Sequence, residues 1–206
     1  HIKVTSASLE DKRYEQHERV QQLFERSLAR MATIPGVEAA AVSLGLPYER
    51  ILNMGARVVG PAGEMSDFVF TTATYVTPGY FETLKLGLKS GRTLQATDTT
   101  AGARVVVVNE SFQARHFKGK TAIGEYVSMS GQNRQIVGVV ANVQQRGGFN
   151  GYGPLDALPA IYMPSSQFPP NGLLTIHGWF SPAWIIREAQ AGPVTVLAIR
   201  RAMEEI

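Results

Sequence analysis

Between Asp11 and Ile34 the apolar residues Val20, Leu23, Phe24, Leu28 and Met31 recur at three- and four-residue steps, with Arg, Gln and Glu filling the other positions. Only a helix of about 3.6 residues per turn gathers such a set on one face, and that face must be buried against another element. Pro35-Gly36 follows at once. Proline cannot continue the hydrogen-bond ladder and glycine accepts the left-handed turn, so the helix stops there. On either side lie strand-like segments: Ile2 to Leu9, with partial alternation, and Val37 to Leu44. The opening of the chain therefore reads as a βαβ unit.

From Pro47 to Ser66 the glycines at 55, 60 and 63 and Pro61 indicate a loop, broken at most by a short strand at Ala56 to Val59. Phe68 to Val76, rich in Thr, Val, Phe and Tyr, reads as a strand. A short helix follows with Pro78 in its first turn, Thr77 as its N-cap and Tyr80, Phe81 and Leu84 as its apolar face. Further strands are expected at Leu86 to Ser90, Arg104 to Val108, Tyr126 to Ser130 and Gln135 to Val143. The last two should form a hairpin about Gly131-Gln132-Asn133, and Asn109 should cap a helix over Glu110 to Phe117. Ile161 to Met163, before Pro164, reads as a short edge strand. Ala183 to Glu188 and then Pro193 to Ile206 repeat the strand-then-helix order of the opening. This predicts a second βαβ unit whose last strand is cut off. Lacking an initiator Met, the chain reads as a soluble fragment of a longer protein.

Composition narrows the function classes. Twenty Lys plus Arg against 17 Asp plus Glu give a net charge of only +3, and the basic residues are scattered, which argues against nucleic-acid binding. Without cysteine there is no disulfide, thiolate zinc site or thiol nucleophile. The longest aliphatic run, Val105 to Val108, is far short of the ~20 apolar residues a membrane helix needs. Histidines 1, 17, 116 and 177 are not spaced with one another or with carboxylates as a metal site requires. His116, ending a short helix, is placed where a positive charge suits the macrodipole, and His177 is expected to be packed or to face a partner. No nucleophile elbow or phosphate-binding loop is present, and the glycine-rich run from Gly147 to Gly153 does not lie between a strand and a helix. No catalytic, cofactor-binding or metal residue is assigned, and no cofactor is expected.

Several segments together resemble the periplasmic core domain of MacB-like ABC transporter permeases, in particular a tandem-permease subgroup abundant in Acidobacteria. They are Ile34-Pro-Gly-Val37, Tyr75-Val-Thr-Pro-Gly-Tyr-Phe-Glu-Thr-Leu84, Leu88-Lys-Ser-Gly-Arg-Thr-Leu94 and Val105 to Phe112. Ala122-Ile-Gly-Glu125, Ile136 to Val140, Ile161-Tyr-Met-Pro164 and Trp184-Ile-Ile-Arg187 continue the series. The resemblance implies an α+β fold in which both chain ends, residues 1–65 and 165–206, build a porter-like βαβ module. Residues 66–164 would form an inserted β-rich subdomain with short helices. It further implies a domain on the periplasmic side of the bacterial inner membrane, continuous with transmembrane helices of the parent chain. Such a domain would couple movement of the membrane part to export or mechanotransmission without catalysing anything itself. The expected partners are a second permease copy or sister periplasmic domain, with a periplasmic adaptor or lipoprotein as further candidates. The alternative is a passive module that captures a lipid, peptide or adaptor protein between its two subdomains.

Large aromatics in flexible or aperiodic stretches are the candidate contact residues: Phe149 and Tyr152 in the glycine-rich run, and Phe168, Trp179 and Phe180 after the Pro-rich stretch. Packing within the domain is the competing expectation for each. Arg92, next to a turn glycine, is expected to be structural.

Overall fold

The computed structural model describes residues 1–60, 62–148, 152–192, 194 and 196–204. Strand β1 (Ile2–Ser6) leads through a single 3-10 turn into helix α1 (His17–Ala32) and then strand β2 (Val37–Leu44). The helix begins later than its periodicity indicates. Asp11 caps the preceding turn instead, its carboxylate accepting from the Arg13 N–H at 2.8 Å. At the other end Gly36, at φ 90°, makes the expected reversal into β2.

The middle of the chain forms β3 (Asn53–Val59), β4 (Val69–Val76), α2 (Tyr80–Leu84), β5 (Leu88–Gly91), β6 (Val105–Asn109), α3 (Glu110–Phe117), β7 (Tyr126–Met129) and β8 (Gln132–Val140). A small ribbon of β9 (Gln145–Arg146) and β10 (Leu155–Asp156) follows, then β11 (Ala160–Pro164), α4 (Pro170–His177), β12 (Pro182–Glu188) and α5 (Val196–Glu204). The mixed α+β class is as expected.

Among the described residues ten strands share one sheet, in the order β1-β12-β2-β4-β11-β6-β8-β7-β3, with β5 on β8. Strand β12 is antiparallel to both β1 and β2 and lies between them. The opening βαβ unit is therefore split by a strand from the far end of the chain. Strand β3 pairs with β7 on one side and returns to β4 on the other, so β4, β11, β6, β8, β7 and β3 close into a ring. Strand β4 is shared: its first half pairs with β3, and its last residue meets β2 in the one ladder pair Ser43–Val76. Threonine hydroxyls reinforce that joint. Thr77 Oγ1 accepts from Val42 N at 2.8 Å, and Thr74 Oγ1 donates to Leu44 O at 2.8 Å.

The sheet is buried on both faces around β6, where Val106 and Val108 face one core and Val105 and Val107 the other. Helices α1, α3, α4 and α5 all contribute to the first core, while Tyr80 and Phe81 of α2 pack against Tyr162 in the second.

Four local expectations need correction. Thr77 does not cap α2, because its side chain is engaged on β2; Gly79, at φ 87°, holds the cap position. The β7–β8 turn is centred on Ser130 and Gly131, both at positive φ (50° and 73°), the two-residue geometry that matches strand twist. Strand β3 is longer than the loop-like composition indicates. Strand β11 is central rather than at an edge, lying between β4 and β6 with every residue buried, because Pro164 falls at its last position.

Candidate functional site

Where β4 meets the strands from the chain ends, aromatic rings from distant parts of the sequence interlock. Phe24 of α1 packs against Tyr75 of β4 and edge-on to Trp184 of β12, with ring centroids 5.8 Å apart in both pairs. Tyr75 in turn meets Phe168 at 5.5 Å and His177 of α4 at 5.9 Å. Two hydrogen bonds fix the set: Tyr75 Oη with His177 Nε2 at 2.7 Å, and Trp184 Nε1 donating to Ser27 Oγ at 2.7 Å. These side chains are buried together with Leu173 and Ile176, so the joint between the opening strands and the ring is filled.

This placement corrects the reading of Phe168 as a contact residue: its ring is core, held by Tyr75. His177 is packed. Burial pushes its pKa down to about 4, leaving the ring neutral at ordinary pH. Phe180 is half-buried beneath the Arg50 guanidinium, 5.0 Å from the ring centre. Trp179 and Tyr152 remain at the surface, 69% and 90% exposed. Phe149 lies outside the described residues. The five candidates therefore do not form one patch of exposed rings.

The remaining singled-out polar residues hold structure. Asn109 Oδ1 accepts from Phe112 N at 3.0 Å as the N-cap of α3, and also from Ala160 N at 2.9 Å, tying the helix to β11. Arg92 forms a bidentate pair with Asp98, both bonds 2.8 Å, and donates to Thr93 O. Burial works against the Asp98 carboxylate, yet the Arg92 fork and the Gln95 N–H together hold its pKa below the ordinary value. His116 departs from the helix-end expectation: burial against Phe112, and then the charge of Arg115, lower its pKa. Lys3 pairs with Glu188 at 2.7 Å, joining β1 to β12.

A groove of about 810 Å³ runs beside β1, whose outer edge pairs with nothing among the described residues; Val4, Leu9, Tyr14, Leu23 and Ile199 line it. Among the described residues no three His, Asp or Glu gather as metal ligands, and no helix is long and apolar enough to cross a membrane.

A family model described as the MacB-like periplasmic core domain matches residues 3–198. The uncharacterized ABC transporter permease YknZ of Bacillus subtilis is 32% identical over 72 residues, which cover 35% of this chain and 18% of that protein. Among solved structures, the periplasmic region of MacB from Actinobacillus actinomycetemcomitans superposes with a TM-score of 0.55 at 18% identity. That match covers 87% of this chain and 70% of the other. The extracellular domain of the transporter YknZ from Gram-positive bacteria gives 0.52 at 19% identity, covering 82% and 74%. A permease-protein domain from Porphyromonas gingivalis gives 0.51 at 18% identity, covering 86% and 72%. These structural matches establish a shared fold.

Proposed function

The chain belongs to the family of MacB-like periplasmic core domains, and from that premise we propose that it is a rigid, non-catalytic arm of its ABC transporter permease. It moves as one body relative to a second copy or sister domain when the membrane part changes state, and so passes that change to export or to mechanical work outside the membrane. The observation that carries the reading is the filled joint of Phe24, Tyr75, Phe168 and Trp184. A lever transmits displacement only if it does not bend, and close-packed cores resist continuous deformation.

Within this reading, residues 1–65 with 165–206 form the porter-like module and residues 66–164 the insert, except that β3, from the first stretch, pairs only with β4 and β7 and so joins the ring of the insert. The wedging of β12 between β1 and β2 supports that assignment. The same joint argues against capture of a ligand between the two modules, since side chains occupy the space such a ligand needs. Tyr152 and Trp179 are the exposed aromatics offered to a sister domain, adaptor or lipoprotein.

The chain contributes no cysteine of its own to compete with engineered pairs. Tyr152→Cys and Trp179→Cys, crosslinked to cysteines on the sister domain in the intact transporter, test the mechanism. Locking should abolish transport, and reduction should restore it. Full activity in the locked state would remove relative motion from the mechanism.

A further inference from the structure

Arg104 and Arg134 are distant in sequence but become neighbours when β6 and β8 pair in parallel: Gln135 N donates to Arg104 O at 2.8 Å. Arg134 is buried, 1% exposed, yet its guanidinium meets only neutral acceptors. Nη2 donates to Gln167 O at 2.9 Å and to Gln132 Oε1 at 3.3 Å, Nη1 reaches Gln167 Oε1 at 3.5 Å, and Nε has no partner. Among the described residues no carboxylate pairs with it. Burial, and then the positive charge of Arg104, push its pKa down to about 10. A buried, uncompensated cation is costly, and the molecule keeps one here.

In front of it lie two adjoining clefts of about 750 and 510 Å³ that share Arg104, Ser130 and Gln132. The larger adds Arg57 and the half-exposed side chains of Phe68 and Met65, and the smaller adds Gln167. Gln132 and Gln167, which wall the cleft, are the same two residues that hold Arg134. Among the described residues no Asp or Glu lines either cleft. The Asp98 carboxylate, on the loop before β6, is already taken by Arg92.

We propose that this double cleft binds a phosphate ester. Arg104 and the Arg57 nitrogens not engaged on Ser66 O make the direct contacts, and the Ser130 hydroxyl and Gln132 amide supply neutral donors. Gln167, whose own side-chain N–H groups go to Thr99 O and Ala103 O, holds Arg134 as fixed positive charge behind them. Phosphate fits better than carboxylate because the convergent donors outnumber what two oxygens can accept, and guanidinium forks suit tetrahedral oxyanions. Phe68 and Met65 give an apolar wall on which an organic part of the ligand would rest. Such a site would stand whether or not the domain acts as a rigid arm.

The test uses the purified chain with inorganic phosphate, and in a second arm with phosphatidylcholine vesicles with and without phosphatidylglycerol, all at matched ionic strength. Guanidinium nitrogen resonances report occupancy of the site. Saturable binding should appear with phosphate, with the anionic vesicles, or with both, and the pattern separates a free phosphate from a lipid headgroup. Arg104→Gln, at an exposed position, should raise the Kd about tenfold, as expected for loss of one charge-assisted contact. Arg57→Gln should weaken binding several-fold, while Lys118→Gln, of equal charge change elsewhere, should leave it unaltered. Absence of saturable binding in both arms, or equal weakening in all three variants, would overturn the proposal.

Discussion

Acidification should loosen the joint through His177. Its ring is 2% exposed, its Nε2 lies 2.7 Å from Tyr75 Oη, and its Nδ1 has no partner among the described residues. Burial lowers its pKa from 6.5 to about 4. In that interval the unfolded chain binds a proton that the native state refuses, so stability is full above about pH 6.5 and falls as pH drops towards 4. At about 1.4 kcal/mol per pH unit, the full window corresponds to at most about 3.5 kcal/mol. His177→Gln retains a partner for Tyr75 but cannot titrate, so it should cost about 1 kcal/mol at neutral pH. Urea unfolding of both proteins at about pH 7 and about pH 4.5 gives the comparison. Wild type should lose about 2 kcal/mol more than the variant on acidification, erasing or reversing the difference between them. Carboxylates with lowered pKa, Asp98 and Glu188, act in both proteins and cancel. Parallel pH dependence of the two proteins would refute the reasoning, since the ring would then not be kept neutral by the fold.

Trp184→Phe removes the hydrogen bond to Ser27 and leaves unfilled volume beneath α1; chemical denaturation should show a loss of about 2–3 kcal/mol. Arg92→Ala strips Asp98 of its bidentate partner but leaves the Gln95 N–H, and should cost about 2 kcal/mol by the same measurement, with the Asp98 carboxyl resonance titrating at higher pH. Trp179→Ser, at an exposed position, should stay within about 0.5 kcal/mol of wild type. It should leave Trp184 as the only tryptophan, with blue-shifted emission.

Elements whose cause is local could be read from the chain. The α1 stripe, the Pro35-Gly36 stop and the Asn109 cap each rest on residues within a turn or two of one another. What could not be read depends on partners far away in sequence. Strand β3 has glycines within and beside it and is stabilised by pairing with β4 and β7 rather than by propensity. Helix α4 begins at Pro170, a favourable first position, but carries Gly172 early in its course; burial of Leu173, Ile176 and His177 makes it a helix. Phe168 reads as a free aromatic until β4 brings Tyr75 against it. The wedging of β12 between β1 and β2, and the meeting of Arg104 with Arg134 across β6 and β8, are consequences of sheet order. The second of these left a signal that sequence alone does not flag: one arginine just before β6 and another within β8.

Distances between spin labels test the account most directly. One pair placed within the domain, at Tyr126→Cys and Leu197→Cys, spans the ring and the α5 end, and a second pair joins Trp179→Cys to the sister domain in the intact transporter. Through the nucleotide cycle the first distance should stay fixed while the second changes. A first distance that changes, or a second that does not, would contradict the idea of a rigid arm.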